Sequence, residues 1–315
     1  MRKALVIGIN NYPSAPLNGC VKDAIEIANV LEKHSDGSPN FSVKLITDPS
    51  ESATKPKIRE AIEKLFEGTP DVALFYFSGH GLIKSTGGYL VTSDYKSYDE
   101  GISMDDILKI ANRSGARDKV IILDCCHSGI FGNPNFGDST LAQISDGITV
   151  LTACRDNEPS IEVNGGGVFT SLLLDAFEGG AADLRGNVTP GSVYAYVDEA
   201  LGAWDQRPIF KTNVSKFVQL RKINPRVPID KLRMIVELFP SPNEHFKLNP
   251  EFEDTFENHD MLKVKTFKLL QEYVKIGLVV PVDEEHMYYA AMNSKSCRLT
   301  AIGYQYWRLA SENKL

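Results

Sequence analysis

The sequence contains no apolar run near the roughly 18 residues that a membrane-spanning helix requires. The opening segment, MRKALVIGIN, is too short and too soon interrupted to be a signal peptide. Cysteine is scarce, and an odd count of five favours reduced thiols over a disulfide framework. Cysteine and histidine also lack the spacing of zinc sites. We therefore expect a cytoplasmic protein without a membrane segment.

An excess of positive charge is also missing. The 315-residue chain has a net charge of −7, which opposes non-specific binding to nucleic acid. An acidic surface of this kind can attract basic protein segments. We expect protein partners and no nucleic acid.

Apolar strand patterns alternate with helical patterns over the first 220 residues, which predicts an α/β fold with a mostly parallel sheet and helices on both faces. Predicted strands are KALVIGI, FSVKLIT, DVALFYFS, KVIILDC, GITVLTAC and KFVQL. Predicted helices cover residues 21–34, 55–68, 103–115, 167–180 and 189–204, with Ser103 as the cap of the third.

Two prolines, the end of the strand pattern and a more helical composition coincide near Asn224, which predicts domains 1–224 and 225–315. The last ninety residues predict helices at 229–238, 261–276 and 300–309, with the β runs GLVVPV and MYYAAM between the last two. This order is similar to a small α+β winged-helix module. From Arg226 onward, 12 Lys and Arg against 13 Asp and Glu give a net charge of −1, so docking of a protein is favoured over DNA binding.

Two of the predicted strands end on residues with chemical function. DVALFYFS is followed by Gly79, His80 and Gly81, and KVIILDC leads into Cys126, His127 and Ser128. The carboxyl ends of parallel strands are where ligands bind in open α/β sheets. A thiol beside an imidazole can lose its proton and attack a carbonyl carbon.

YFSGHG and LDCCHSG resemble the histidine and cysteine motifs of the caspase-like cysteine peptidases, nearest to metacaspases and prokaryotic caspase-like proteins. The resemblance implies Cys126 as nucleophile, His80 as base, and the amides of Gly81 and Cys126 as the oxyanion hole. Cys125 takes the place of a variable small residue and is interpreted as a buried strand cysteine. Prokaryotic relatives act in stress or defence pathways.

The same resemblance implies a primary specificity pocket for arginine or lysine. Asp23 in GCVKDA and Asp124 match the acidic positions of the pocket, and Cys20 and Ser78 match its walls. The alternative interpretation makes Asp23 a charge at a helix N-terminus and Asp124 a turn cap.

Calcium is the candidate cofactor that the resemblance raises, as an activator and not as part of the bond-breaking chemistry. Asp94, Asp105 and Asp106 offer oxygen ligands of the type that calcium prefers. The fourth acid of the family pattern falls near Asn133, a weaker ligand. Asp105 and Asp106 also suit the N-terminus of the helix after Ser103.

Residues 127–154, which follow the nucleophile motif, contain no lysine or arginine. An enzyme specific for cations cannot cut itself there, so we expect a peptidase active as one polypeptide and switched by a partner or ligand. The competing hypothesis is a catalytically weak interaction module that docks a partner through residues 225–315. Transcriptional control through a winged helix is a third hypothesis, which the lack of a basic face disfavours.

Overall fold

The computed structural model describes residues 1–13, 15–48, 53–96, 98–125, 144–153, 162–163, 166–201 and 208–315. The chain divides into two compact units, 1–224 and 225–315. Among the described residues, no helix combines the length and the apolar character needed to cross a bilayer.

The first unit alternates strands and helices. Its strands are β1 (Arg2–Gly8), β2 (Ser42–Thr47), β3 (Val72–Ser78), β4 (Gly81–Lys84), β5 (Gly87–Leu90), β6 (Ile102–Ser103), β7 (Asp118–Asp124), β8 (Ile148–Thr152), β9 (Glu162–Val163), β10 (Gly166–Gly167), β11 (Asn187–Val188), β12 (Ile209–Asn213) and β13 (Arg221–Lys222). Its helices are α1 (Cys20–Glu32), α2 (Lys55–Phe66), α3 (Met104–Arg113), α4 (Val168–Asp175), which continues into a π-helical turn, and α5 (Pro190–Leu201).

Six strands form the central sheet in the order β12-β8-β7-β3-β1-β2. All neighbours are parallel except β12, which runs antiparallel to β8. Side chains from α2 and α3 join the core on one face, and side chains from α1, α4 and α5 join the core on the other. The expected mostly parallel α/β sheet with helices on both faces is confirmed.

Strand β3 is buried along its whole length. Its side chains alternate between the two cores, with Phe75 and Phe77 in one and Leu74 and Tyr76 in the other. A strand covered on both faces needs a continuous apolar run, which explains the sequence DVALFYF.

The predicted last strand, KFVQL, was wrong. The antiparallel edge of the central sheet is formed by β12. The segment before β13 is held outside that sheet by Arg2 and by the Leu220 amide, which donates to the Val188 carbonyl oxygen of β11 at 2.7 Å. The Arg2 guanidinium donates to the carbonyl oxygens of Gln219 and Leu220, at 2.6 and 3.0 Å. Because β12 is partly exposed along its length, it lacks the apolar pattern that reveals buried strands.

The second unit is built from helices and a three-stranded antiparallel sheet. Its helices are α6 (Ile229–Arg233), α7 (Ile235–Leu238), α8 (Met261–Lys275), α9 (Met287–Met292) and α10 (Ala301–Ser311), and its strands are β14 (Phe246–Lys247), β15 (Val279–Val282) and β16 (Ser296–Leu299). The sheet order is β14-β16-β15.

The prediction of MYYAAM as a strand was wrong, because this segment forms α9. Met287, Ala290 and Ala291 are buried and Tyr288 and Tyr289 are exposed, so burial follows the i, i+3, i+4 spacing of a helix. The strand that pairs with β15 is β16. The winged-helix assignment stays a prediction.

We expect Gly8→Ala to destabilise the first unit by about 1–3 kcal/mol, because the end of β1 lies directly against α1. An ideal Cβ at Gly8 would lie 2.2 Å from the Cys20 carbonyl oxygen and 2.6 Å from the Ala24 Cβ. The free energy of unfolding from urea titration measures the effect. Ile25→Ala, on the outer side of α1 where the side chain is 41% exposed, is the control and should change stability by less than about 0.5 kcal/mol. Equal stability of both variants would contradict the close approach of strand and helix.

Candidate functional site

Three neighbouring parallel strands end at the same edge of the sheet. Ser78 is in register with Gly8 on one side and with Asp124 on the other. The Ile9 amide donates to the Ser78 carbonyl oxygen at 3.1 Å, which extends the pairing one residue past β1. This edge brings together the segments that carry His80, Asp124 and the start of α1.

The backbone before His80 makes close contact with Tyr12. An ideal Cβ at Gly79 would lie 2.5 Å from the Tyr12 hydroxyl, so only glycine fits at this turn. The Tyr12 hydroxyl accepts the His80 amide at 3.1 Å and donates to the Val91 carbonyl oxygen at 3.2 Å. Tyr12 therefore fixes both the position of the His80 backbone and that of the segment after β5.

The His80 ring is held by a carbonyl oxygen and by Tyr12. Its Nε2 lies 2.7 Å from the Ala15 carbonyl oxygen, and its ring centroid lies 4.6 Å from that of Tyr12. Because a carbonyl oxygen can only accept, Nε2 carries the hydrogen of this bond. In the neutral ring, Nδ1 is then the nitrogen with the lone pair, as a proton acceptor requires.

The two other predicted catalytic residues are Gly81 and Cys126. Gly81 begins β4 directly after His80. Cys126 lies outside the described residues. Its neighbour Cys125 is completely buried within the core. The catalytic assignments of Cys126, His80 and Gly81 stay predictions.

The two predicted pocket carboxylates come together around Gly167, the residue before α4. An ideal Cβ at Gly167 would lie 2.5 Å from Asp124 Oδ2 and 3.3 Å from Asp23 Oδ2. The Gly167 amide donates to Asp23 Oδ2 at 3.0 Å. Asp23 and Asp124 are 3% and 4% exposed, although they belong to different elements, α1 and β7. A pair of buried carboxylates thus lies at the edge where β3 delivers His80.

A chain of two hydrogen bonds, called the relay below, links the core residue Tyr76 to Asp124 through Thr170. Thr170 Oγ1 donates to Asp124 Oδ2 at 2.6 Å, and the Tyr76 hydroxyl lies 2.6 Å from the same Thr170 oxygen. Since Thr170 has one hydroxyl hydrogen and gives it to the carboxylate, Tyr76 must donate to Thr170. Both side chains are completely buried.

Burial raises the pKa of Tyr76 well above its ordinary value, and the charges of Asp124 and Asp23 raise it further. Tyr76 therefore remains protonated and remains a donor across the physiological pH range. The start of α4 adds the positive end of a helix to the same surroundings. The donors Gly167 and Thr170 and the helix N-terminus stabilise the charged form of a carboxylate, whereas burial and the second carboxylate oppose it.

Cys20 and Ser78, the predicted pocket walls, are both buried at this edge. Cys20 is the first residue of α1, and Ser78 is the last residue of β3. Cys20 therefore lies three residues before Asp23 on the same helix, and Ser78 lies two residues before His80. The pocket roles of Asp23, Asp124, Cys20 and Ser78 stay predictions.

The predicted calcium ligands have partners within the protein. Asp94 Oδ1 accepts from the Lys55 amide at 2.9 Å and from the Thr92 hydroxyl at 2.7 Å. Asp106 accepts from the Arg59 guanidinium at 3.2 Å, and it lies with Asp105 in the first turn of α3, where Ser103 is the N-cap. In the part of the chain that the structure describes, no three His, Cys, Asp or Glu side chains form a group that could hold a metal. Calcium activation stays a prediction.

Sequence analysis did not identify Tyr12, Asp48, Thr170 or Tyr76. Asp48 follows β2, and its Oδ2 accepts the amides of Asn10 and Asn11, which shapes the loop after β1. The sequence did offer a sign of two of these residues, because Tyr76 and Thr170 place a hydroxyl within segments that are otherwise mostly apolar. A buried hydroxyl needs a partner, so such residues mark buried polar networks.

The caspase domain family matches residues 1–219, which include all of these site residues. The chain belongs to the caspase domain family. The family is one of cysteine peptidases, and the suspected relation to metacaspases is confirmed by the relatives.

Three metacaspases are similar to this caspase domain. Metacaspase-1 of Plasmodium falciparum (isolate 3D7) is 28% identical over 209 residues, covering 55% of this chain and 34% of that protein. Metacaspase-9 of Arabidopsis thaliana is 27% identical, covering 41% and 43%, and metacaspase-1 of Candida glabrata is 32% identical, covering 41% and 37%. The chain thus spans less than half the length of these curated relatives.

A crystal structure of a Geobacter sulfurreducens protein shares the fold. It has a TM-score of 0.52 and 19% identity, and the match covers 71% of this chain and 97% of that one. The similarity supports the architecture of the caspase domain alone.

We expect Thr170→Val to destabilise the chain by about 1–3 kcal/mol, because it leaves the buried Tyr76 hydroxyl without its acceptor and removes a donor from Asp124. The free energy of unfolding from urea titration measures the loss. Adding Tyr76→Phe to Thr170→Val should restore part of the stability, since the stranded hydroxyl disappears. Strictly additive effects of the two changes would show that the relay is absent.

Proposed function

We propose that this chain is a cysteine endopeptidase that cleaves protein substrates after arginine or lysine through Cys126 and His80. The observation that carries the proposal is the pair of buried carboxylates, Asp23 and Asp124, at the sheet edge to which β3 delivers His80. A cationic substrate side chain is the natural partner of such a pair. Membership of a cysteine peptidase family supports the reaction class.

In the proposed reaction, Nδ1 of His80 takes the proton of the Cys126 thiol, and the sulfur attacks the carbonyl carbon of the substrate. The carbonyl oxygen becomes an oxyanion that accepts hydrogen bonds from the amides of Gly81 and Cys126. His80 then gives its proton to the leaving nitrogen as the C–N bond breaks. Water, deprotonated by His80, hydrolyses the thioester and restores the thiol. The bond from Nε2 to Ala15 orients the imidazole for each transfer.

The pocket carboxylates would select the substrate through charge. The Gly167 amide donates to Asp23 Oδ2 at 3.0 Å, and the Thr170 hydroxyl donates to Asp124 Oδ2 at 2.6 Å. A guanidinium or ammonium group of the substrate would approach the two carboxylates from the substrate side. Because both carboxylates are buried, removing one of their charges would weaken binding of a cation far more than the same change at the surface.

We expect Cys126→Ala and His80→Ala each to abolish peptide cleavage, since the first removes the attacking sulfur and the second removes its base. Hydrolysis of a fluorogenic peptide with arginine before the scissile bond measures activity. Cys125→Ala should keep most of it, because that buried side chain belongs to the core. The reverse result, with Cys125→Ala inactive and Cys126→Ala active, would mean that the nucleophile is wrongly assigned.

We expect Asp124→Asn to lower kcat/KM for an arginine peptide roughly a hundredfold or more, which corresponds to a loss of at least about 3 kcal/mol of transition-state stabilisation. Asparagine keeps an oxygen that can accept from Thr170, so the change removes the charge while keeping the shape. A citrulline peptide, which has the shape of arginine without its charge, is the control substrate. The variant should cleave the two peptides at similar rates. An unchanged preference for arginine would place the specificity elsewhere.

The proposal includes activity as a single polypeptide that a partner or ligand switches on. Residues 127–154 contain no lysine or arginine, whereas Asp138 and Asp146 would be open to an aspartate-specific enzyme. Intact-mass analysis of the active wild type beside Cys126→Ala should show one full-length chain in both. Two fragments that meet between residues 127 and 154, present only in the wild type, would contradict both the single chain and the cationic pocket.

A further inference from the structure

A mostly apolar groove of about 570 Å³ runs between the segment of α6 and α7 and the helix α8 in the second unit. Met234, Leu238, Leu262 and Leu269 are among its lining residues. Leu262 and the adjacent Met261 are 78% and 73% exposed. Large apolar side chains left this open, side by side, are typical of a surface that a partner covers.

The exposed residues are held in place. Asp260 is the N-cap of α8, and its Oδ1 accepts the Leu262 amide at 2.8 Å. Further along α8, the Tyr273 hydroxyl donates to the Lys231 carbonyl oxygen, which ties the two walls of the groove together. Apolar side chains presented on a fixed helix can bind with a small loss of entropy.

The rim of the groove carries three lysines, of which Lys265 alone lacks an ion-pair partner among the described residues. Three lysines, Lys231, Lys265 and Lys268, line it together with one acid, Glu272. Lys231 is paired with Glu272 at 2.9 Å, and Lys268 is paired with Asp254 at 3.3 Å. Lys265 has no ion-pair partner among the described residues and is exposed. Three lysines against Glu272 and Asp254 leave the patch with one positive charge, in a unit whose net charge is −1.

We propose that the groove binds an acidic amphipathic helix of a partner protein. The α8 residues that line it include Leu262, Lys265, Leu269 and Glu272, which recur every three or four positions along one face, and Met261 adjoins Leu262. Eleven residues of helix span about 16 Å, enough for three turns of a docked helix. Two helices with an apolar cleft between them offer a third helix the packing that peptide grooves use. Glutamate or aspartate beside its apolar stripe would meet Lys265, the exposed rim lysine that has no ion-pair partner among the described residues.

This inference rests on one part of the proposed function, namely that a partner switches the enzyme; here that partner binds the second unit. Docking involves no peptide bond cleavage. It is therefore measured on the full chain carrying Cys126→Ala, so a failure of docking and a failure of peptidase activity give separate results.

The test is a display selection with helical peptides of 18 residues. Each peptide carries leucine at the i, i+3, i+4, i+7 spacing, and the flanking positions vary among Glu, Gln and Lys. Dissociation constants of the recovered peptides are then measured by fluorescence anisotropy. We expect enrichment of Glu at the flanking positions. Leu262→Glu should weaken binding at least tenfold, and Lys265→Glu should weaken it severalfold.

Two controls make the result specific. Ile302→Glu changes an apolar residue on α10 that is 52% exposed and lies outside the groove, so it should leave binding unchanged. Binding to Lys265→Glu should be restored by a peptide in which the facing Glu is replaced by Lys. Circular dichroism of the variants checks that each remains folded.

Several outcomes would overturn the proposal. They are recovery of neutral or basic peptides, binding that Leu262→Glu leaves intact, and failure to recover any peptide. Sedimentation velocity that shows a dimer in the wild type and a monomer in Leu262→Glu would assign the groove to a second copy of the chain. Binding to vesicles of phosphatidylserine and phosphatidylcholine that depends on Leu262 would assign it to a lipid surface.

Discussion

The level ends of β1, β3 and β7 are the constraint on which the candidate site depends. Gly8, Ser78 and Asp124 are in register, so the segments that leave these strands begin at one edge of the sheet. If the pairing of β3 with β1 or β7 shifted by one residue, each β3 side chain would point toward the opposite face of the sheet and so into the other core. The complete burial of β3 on both faces therefore fixes where His80 emerges, and Tyr12 then sets its backbone.

Two buried carboxylates beside each other repel, and the fold offsets this repulsion with donors from the start of α4. The Gly167 amide and the Thr170 hydroxyl each reach a different carboxylate, and Tyr76 supports Thr170 from the core. Without a side chain at Gly167, both carboxylates can approach the backbone. In the proposed specificity pocket, the same donors would hold both carboxylates in place for a cationic side chain, because fixed groups need no reorganisation when a cation arrives.

The parts of this structure that follow from local pattern could be predicted from the sequence, and those that depend on distant contacts could not. The apolar runs of β3 and β7 and the cap of α3 are local signals, as is the glycine before His80. Tyr12, Asp48 and Thr170 act on residues far away in the chain, so their roles emerge only in three dimensions. The strand β12 lacks an apolar pattern because it lies at the edge of the sheet, where its side chains are partly exposed and need not be apolar. The helix α9 is different, since the spacing of Met287, Ala290 and Ala291 was present in the sequence.

The two proposed recognition sites differ in charge, which separates their ligands. The proposed pocket carboxylates, Asp23 and Asp124, would favour a cation, while Lys265 at the proposed groove, which has no ion-pair partner among the described residues, would favour an acidic helix. A segment rich in arginine and lysine, suited to cleavage, is repelled by the lysines of the groove. An acidic helix suited to the groove offers no residue that the pocket would accept for cleavage. A partner that bound the proposed groove through acidic residues would therefore offer the proposed pocket no arginine or lysine within that docking stretch, and it would not be cleaved there.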